Sequence, residues 1–158
     1  MICFKIPAAL QATEPCPKQN LKTSHRLDDA VETLIRQGVN TFVSGGAIGF
    51  DWLVAASVAN KKTAGANTRL ILALPCRDWN ARWTEKQRLS YQHLMSKADE
   101  IIYVSETYDK HCMKKRNVYM VTHAQYCVCA LIHEKSGTGQ TVRLARKHGL
   151  SIIDITPS

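Results

Sequence analysis

Apolar positions along this chain follow two rhythms. Leu27, Val31, Leu34 and Ile35 recur at helical spacing behind Ser24, a candidate N-cap, and Gly38 follows as a terminator. TFVS (41–44) then reads as a strand, and Phe50 to about Asn60 as a helix. RLILAL (69–74) is continuously apolar up to Pro75, as suits a strand buried on both faces. Residues 80–97 carry a helical pattern with Trp83, Leu89 and Leu94 near one face. EIIYVS (100–105) predicts a strand, 113–123 a helix, YCVCALI (126–132) a strand, EKSGTGQ (134–140) a glycine-containing loop, TVRLARKHG (141–149) a helix and SIIDI (151–155) a last strand. ICFKI (2–6) predicts a short first strand, and the proline-broken stretch 7–24 a loop.

Strands alternating with helices predict an α/β fold. The expected form is a Rossmann-like, doubly wound, mainly parallel sheet of about six strands with helices on both faces, in one domain over 1–158. Ligands of such sheets bind outside the carboxyl ends of the strands. The unusual loops all fall on that edge: the segment after the first strand, SGGAIGFD, PCRDWN, SETYDKHC and HEKSGTGQT.

Glycine between a strand and a helix has a physical use there. The first N–H groups of a helix point outward, the helix dipole adds positive charge, and glycine lets an anion come close. Ser44, Gly45, Gly46, Ala47 and Gly49 form one candidate cradle. Ser136, Gly137, Thr138, Gly139 and Thr141 form a second, with hydroxyls at Ser136, Thr138 and Thr141. The plainer alternative for either loop is a tight turn that needs positive φ. GGAIG lacks the GxGxxG spacing and no GK[ST] follows, so neither the dinucleotide fingerprint nor a P-loop is present.

Asp51 has two readings: an acceptor for a ribose or base, or a carboxylate favoured by the dipole in the first helical turn. In CMKKRNVYMV (112–121), Lys115, Arg116 and Asn117 fall early in a helix, near the ligand edge. The planar fork of Arg116 suits a phosphate, and Asn117 suits a base edge or a tie between loops. A basic cluster at a helix N-terminus opposes the dipole, which argues for an anion there. Arg77, in PCRDWN, joins the candidate ligand-binding set.

Composition adds a few limits. With 158 residues, 45% of them hydrophobic, the chain can bury a core without disulfides. The net charge of +8 permits a polyanionic partner, but the basic residues are spread along the chain. The six cysteines and six histidines lack ligand spacing, so no metal and no cofactor are expected. Alternation puts Cys127 and Cys129 on one face of a strand as buried free thiols. Cys112 is expected to be exposed, with the basic residues after it favouring the thiolate. No apolar run is long enough to cross a membrane, and MICFKIPAALQATEPCPKQ is too polar for a signal peptide. The expectation is a cytoplasmic protein.

FVSGGAIGFD, RLILALPC, the W-N-x-x-W stretch, ADEIIYVSETYDKHCMKKRNVYMV and SGTGQTVRLARKHGLSIIDI, in that order, resemble the YpsA-like branch of the SLOG superfamily. The superfamily also contains the DNA-processing protein DprA and the Lonely Guy phosphoribohydrolases. The resemblance covers about residues 25–156. It implies a Rossmann-like domain that binds a nucleotide or a nucleotide-derived ligand such as an ADP-ribose derivative, in a bacterial or phage setting. By resemblance, Gly45, Gly46, Gly49 and Asp51, then Arg116 and Asn117, then Gly137, Thr138, Gly139 and Thr141 face that ligand. Two departures stand out. FKIPAALQATEP replaces the glycine-histidine-arginine-proline turn of relatives, with Lys5 and its neighbours as the candidate substitutes. EKSGTGQTV has no glutamate where the phosphoribohydrolase motif PGGxGTxxE has one, which weighs against N-glycosidic hydrolysis.

Three functions compete. The favoured one is a sensor or sequestering protein for a nucleotide-type small molecule. The second is a nucleotide-processing hydrolase of phosphoribohydrolase type, with Asp51, Asp78, Glu85 and Glu106 as candidate acids. The third is DprA-like binding of single-stranded nucleic acid, with Trp79, Trp83, Tyr108 and Tyr119 as stacking rings. It is a less favoured partner class than a small molecule. A second copy of the chain, covering exposed edges as a homodimer, is expected by analogy, and a membrane is not.

Overall fold

The computed structural model describes residues 2–3, 17–131 and 133–156. In chain order the elements are β1 (Ile2–Cys3), α1 (Pro17–Arg36), β2 (Thr41–Ser44), α2 (Phe50–Thr63), β3 (Arg69–Leu74), α3 (Glu85–Met95), β4 (Glu100–Tyr103), α4 (Cys112–Thr122), β5 (Tyr126–Cys129), α5 (Gly137–Lys147) and β6 (Ser151–Asp154). The expected alternation of strand and helix is present, and every strand pairing is parallel.

The expected single sheet of about six strands is corrected. Hydrogen bonding divides the strands into two three-stranded ladders, β2-β3-β4 and β1-β5-β6. The physical reason lies in β1: a two-residue strand has few groups to share, and its ladder is with β5. β1 also lies close to β2, which sets the ladders side by side. The predicted strand residues 4–6, most of the predicted loop 7–24 and the family departure at 4–15 fall outside the described residues, as does Ile132.

Side-chain alternation along β3 creates two cores. Leu70, Leu72 and Leu74 join Phe42 on one face, under α1, α2 and α3. Ile71 and Ala73 join Val43 on the other, under α4 and α5. Val128 belongs to the first core and Cys127 to the second, so β5 divides its side chains the same way. RLILAL reads as an unbroken apolar run because both faces of β3 are covered. This is the Rossmann-like α/β arrangement.

Three helix boundaries differ from the pattern, each for a local reason. α1 starts at Pro17 rather than Ser24; proline is tolerated in a first helical turn, where its missing N–H is no loss. α3 starts at Glu85 rather than residue 80. Thr84 Oγ1 accepts from Gln87 N at 3.3 Å and Gln87 Oε1 accepts from Thr84 N at 2.9 Å, a reciprocal capping box that fixes the start. Trp83 therefore precedes the helix, and Leu89, expected on its buried face, is 58% exposed while Tyr91 and Leu94 are buried. α5 starts at Gly137, so GTGQ forms a first helical turn and not a loop. Ser136 caps it, its Oγ accepting from Gly139 N at 3.1 Å.

Candidate functional site

The turn from Ser44 to Asp51 joins the carboxyl end of β2 to the start of α2. It is tied together from within. Ser44 Oγ donates to the Asp51 carbonyl at 2.8 Å, and Ala47 N–H donates to Asp51 Oδ2 at 3.1 Å. Asp51, in the first turn of α2, is fully buried. The carboxylate staples the turn that precedes its helix.

Arg116 reaches the same turn from α4. Arg116 is 1% exposed. Nη1 donates to the Gly45 carbonyl at 2.6 Å and stands 3.7 Å from Asp51 Oδ2. Nε and Nη2 both donate to Asn117 Oδ1, at 3.2 and 3.1 Å. Within the basic start of α4, Arg116 pairs with Asp51 and Lys115 with Asp109, at 2.8 Å. Arg116 and Asn117, which is 6% exposed, hold the glycine turn from behind.

This packing explains two of the glycines. A Cβ on Gly45 would stand 2.7 Å from Arg116 Nη1 and 2.8 Å from Asp51 Oδ2. Gly46 has φ +72, and a Cβ there would run into the Tyr91 hydroxyl and Leu74 Cδ2. Gly49, the N-cap of α2, has φ +101 and is exposed. Ala47 and Ile48 are half-buried, so 47–49 is the accessible crest of the turn.

The second candidate loop is the first turn of α5. Thr138, Gly139 and Thr141 are buried there; Ser136 and Gly137 are half-buried. Thr141 Oγ1 donates to the Gly137 carbonyl at 3.2 Å. A Cβ on Gly139 would collide with the Glu134 carbonyl, so the close approach of the preceding chain demands glycine. The two glycine segments follow the carboxyl ends of β2 and β5, one strand in each ladder.

Arg77 is exposed just past β3. Its Nε lies 3.3 Å from Glu106 Oε2 and its guanidinium 4.9 Å above the Tyr103 ring. Both members of the ion pair are largely solvated, at 65% and 82% side-chain exposure, so the pair holds Arg77 weakly. Among the candidate acids, Glu85 is exposed at the start of α3 and Asp78 is exposed beside Arg77.

Cys112 corrects an expectation: it is 1% exposed, because the first residue of α4 faces inward. Cys76, at the end of β3, is also fully buried. Burial, with a hydrogen bond involving Asp78, pushes its thiol up to about 12. Cys127 and Cys129 are buried, as expected. A bond to Cys127, with burial, raises the Cys129 thiol above its usual range. Among the described residues no cluster of three or more histidine, cysteine or acidic side chains could hold a metal ion, and no helix is long and apolar enough to cross a membrane.

The pattern gave no signal for Tyr91, whose ring is 1% exposed and whose hydroxyl lies at Gly46. No local feature marks it, since its partners come from α2, the turn after β3 and the glycine turn after β2. A further surface feature is an open groove of about 450 Å³ on the outer side of α4, lined by His111, Lys114, Lys115, Val118 and Tyr119.

The sequence profile of the YspA SLOG family matches residues 18–149. The chain belongs to that family. The match spans β2 through α5, and with them the glycine turn, the Arg116–Asn117 pair and the α5 start. The chain is also 30% identical over 141 residues to the SPbeta prophage-derived protein YoqJ of Bacillus subtilis (strain 168), covering 80% of this chain and 82% of that protein. The YpsA-like resemblance is thereby established. Membership of a SLOG family points to nucleotide-related binding or processing in general terms.

Proposed function

We propose that this protein binds a nucleotide-derived phosphate compound at the carboxyl edge of its strands, as a sensor or sequestering protein. The observation that carries this reading is the Ser44–Asp51 turn. Buried groups on three elements (Asp51 on α2, Arg116 on α4, Tyr91 on α3) fix its shape, while its crest at 47–49 stays accessible. A rigid, glycine-rich turn at a helix start is a preorganised anion cradle. In this reading Ser44, Gly45, Gly46, Ala47 and Gly49 supply the cradle and Asp51, Arg116 and Asn117 hold it. The α5 start, with Ser136, Gly137, Thr138, Gly139 and Thr141, takes a second anionic group, and Arg77 leaves Glu106 for the ligand.

Binding is preferred to hydrolysis on one observation. Asp51, the acid at the turn, is buried and engaged by the Ala47 N–H and Arg116, a holding posture rather than that of a general acid or base.

The test is a thermal-shift series with ADP, ADP-ribose and AMP on the wild-type protein and on Ala47→Glu, which puts a carboxylate on the crest. Stabilisation of about 4 °C or more at a hundredfold excess over Kd is expected for the wild type. It should be lost in the variant, whose own melting temperature stays near that of the parent. Equal shifts in both proteins, or none with any of the three compounds, would contradict the reading.

A further inference from the structure

The three tryptophans of this chain gather around one tyrosine. Trp52, Trp79 and Trp83 stand 6.0, 5.2 and 5.3 Å from the Tyr91 ring, at interplanar angles of 74°, 73° and 88°. Trp79 and Trp83 touch each other edge to face at 4.5 Å. Tyr91 is the ring that this cluster buries; the indoles remain half-buried. An aromatic cluster serving the core alone gains most by burying its largest rings. Here the largest rings keep solvent-facing surface.

The place of that surface matters. Trp79 and Trp83 lie in the turn that leaves the carboxyl end of β3, on the edge that carries the glycine turn after β2. The Tyr91 hydroxyl, at the far end of the shared ring, lies against Gly46. It is buried and has no hydrogen-bond partner among the described residues. Arg77, two positions before Trp79, is held by a solvated ion pair and by the Tyr103 ring. The edge therefore runs from the glycine turn, over the buried Tyr91 hydroxyl, to a half-buried tryptophan pair near Arg77.

We propose that Trp79 and Trp83 form a base subsite. The ligand class is a nucleoside 5′-phosphate laid along the edge, its phosphate at the Ser44–Gly49 turn and its base against the indoles. The proposal rests on the phosphate-site reading above and adds the direction in which the ligand lies. Base-on-aromatic stacking tolerates any base, so the subsite favours nucleotides over sugar phosphates by about tenfold or more without selecting one base strongly.

The test compares AMP, GMP, CMP and UMP with ribose 5-phosphate, which lacks the base. Tryptophan emission of the full chain is followed in titrations, with affinities taken from calorimetry. At least one nucleotide should quench the emission and bind about tenfold more tightly than ribose 5-phosphate. Trp79→Leu and Trp83→Leu should remove that advantage while ribose 5-phosphate affinity stays constant. The wild-type comparison stands by itself if either variant fails to fold. Equal affinity for nucleotides and ribose 5-phosphate, or an advantage that survives both substitutions, overturns the base subsite and leaves the phosphate site intact. No binding of any of the five compounds overturns the base subsite, and the phosphate-site reading is then decided by ADP and ADP-ribose.

Discussion

Arg116 Nη1 stands 3.7 Å from Asp51 Oδ2, and both side chains are almost wholly buried. The pair joins α4 to α2 through the glycine turn, because the same Nη1 also binds the Gly45 carbonyl. Removing one partner of a buried pair leaves the other charge without its counter-ion. Arg116→Met should therefore destabilise the protein by about 3–5 kcal/mol. The double variant Asp51→Asn/Arg116→Met should recover part of that loss. Urea unfolding of the three proteins checks this; a double variant less stable than Arg116→Met would contradict it.

The glycines of the turn should fail for different reasons. Gly45→Ala meets crowding from Arg116 and Asp51 and should cost about 1–3 kcal/mol. Gly46→Ala adds a left-handed backbone to a collision with Tyr91 and Leu74, and should cost more. Gly38 has φ +91 with open space around it, so Gly38→Ala reports the backbone penalty alone, about 1–2 kcal/mol. Thermal unfolding should rank the losses with Gly46→Ala first; parity with Gly38→Ala would mean that Tyr91 does not pack against the turn.

Tyr91→Phe should behave unlike most core substitutions. The Tyr91 hydroxyl is buried without a partner among the described residues, and burial raises it above the usual tyrosine range. Deleting an unsatisfied buried hydroxyl removes a desolvation cost and no hydrogen bond. The melting temperature of Tyr91→Phe should equal or exceed that of the parent. A loss of about 1 kcal/mol or more would reveal a bond that the hydroxyl makes in solution.

Asp99 should set part of the acid sensitivity. It pairs with Lys62, and its Oδ2 accepts from Leu70 N at 2.8 Å at the head of β3. The Lys62 hydrogen bond, with the Leu70 N–H and despite burial, holds the carboxyl below its ordinary 3.8. A depressed folded value means stability present above the unfolded value and lost as pH falls through the folded one. The stability gap between wild type and Asp99→Asn should be full at pH 7 and should narrow as the pH drops below about 4. Urea midpoints across that range measure it; a gap independent of pH would remove Asp99 from the account.

How far the sequence reached follows from the range of each interaction. RLILAL, TFVS and YCVC announce β3, β2 and β5 through local apolar content, and the glycine at 38 closes α1 through its own backbone. The SGGAIGFD turn was legible as a special backbone for the same reason. What its glycines make room for was not, because Arg116 and Tyr91 arrive from α4 and α3. Arg116 and Asn117 look like free polar groups at a helix start until the fold supplies Asp51 and Gly45 as partners. Cys112 misled in the same way: basic neighbours suggested exposure, but position within α4 decides which way the thiol faces. GTGQ reads as a loop by composition, yet the cap from Ser136 and the close approach of Glu134 carry it into α5.

The most direct test of the central claim is a map of amide chemical shifts during titration with AMP. The account predicts perturbations concentrated at residues 44–50 and 136–141, with smaller ones near Trp79 and Trp83. Perturbations confined to the outer groove of α4, at His111, Lys114 and Lys115, would contradict it and move the binding surface to the opposite side of that helix.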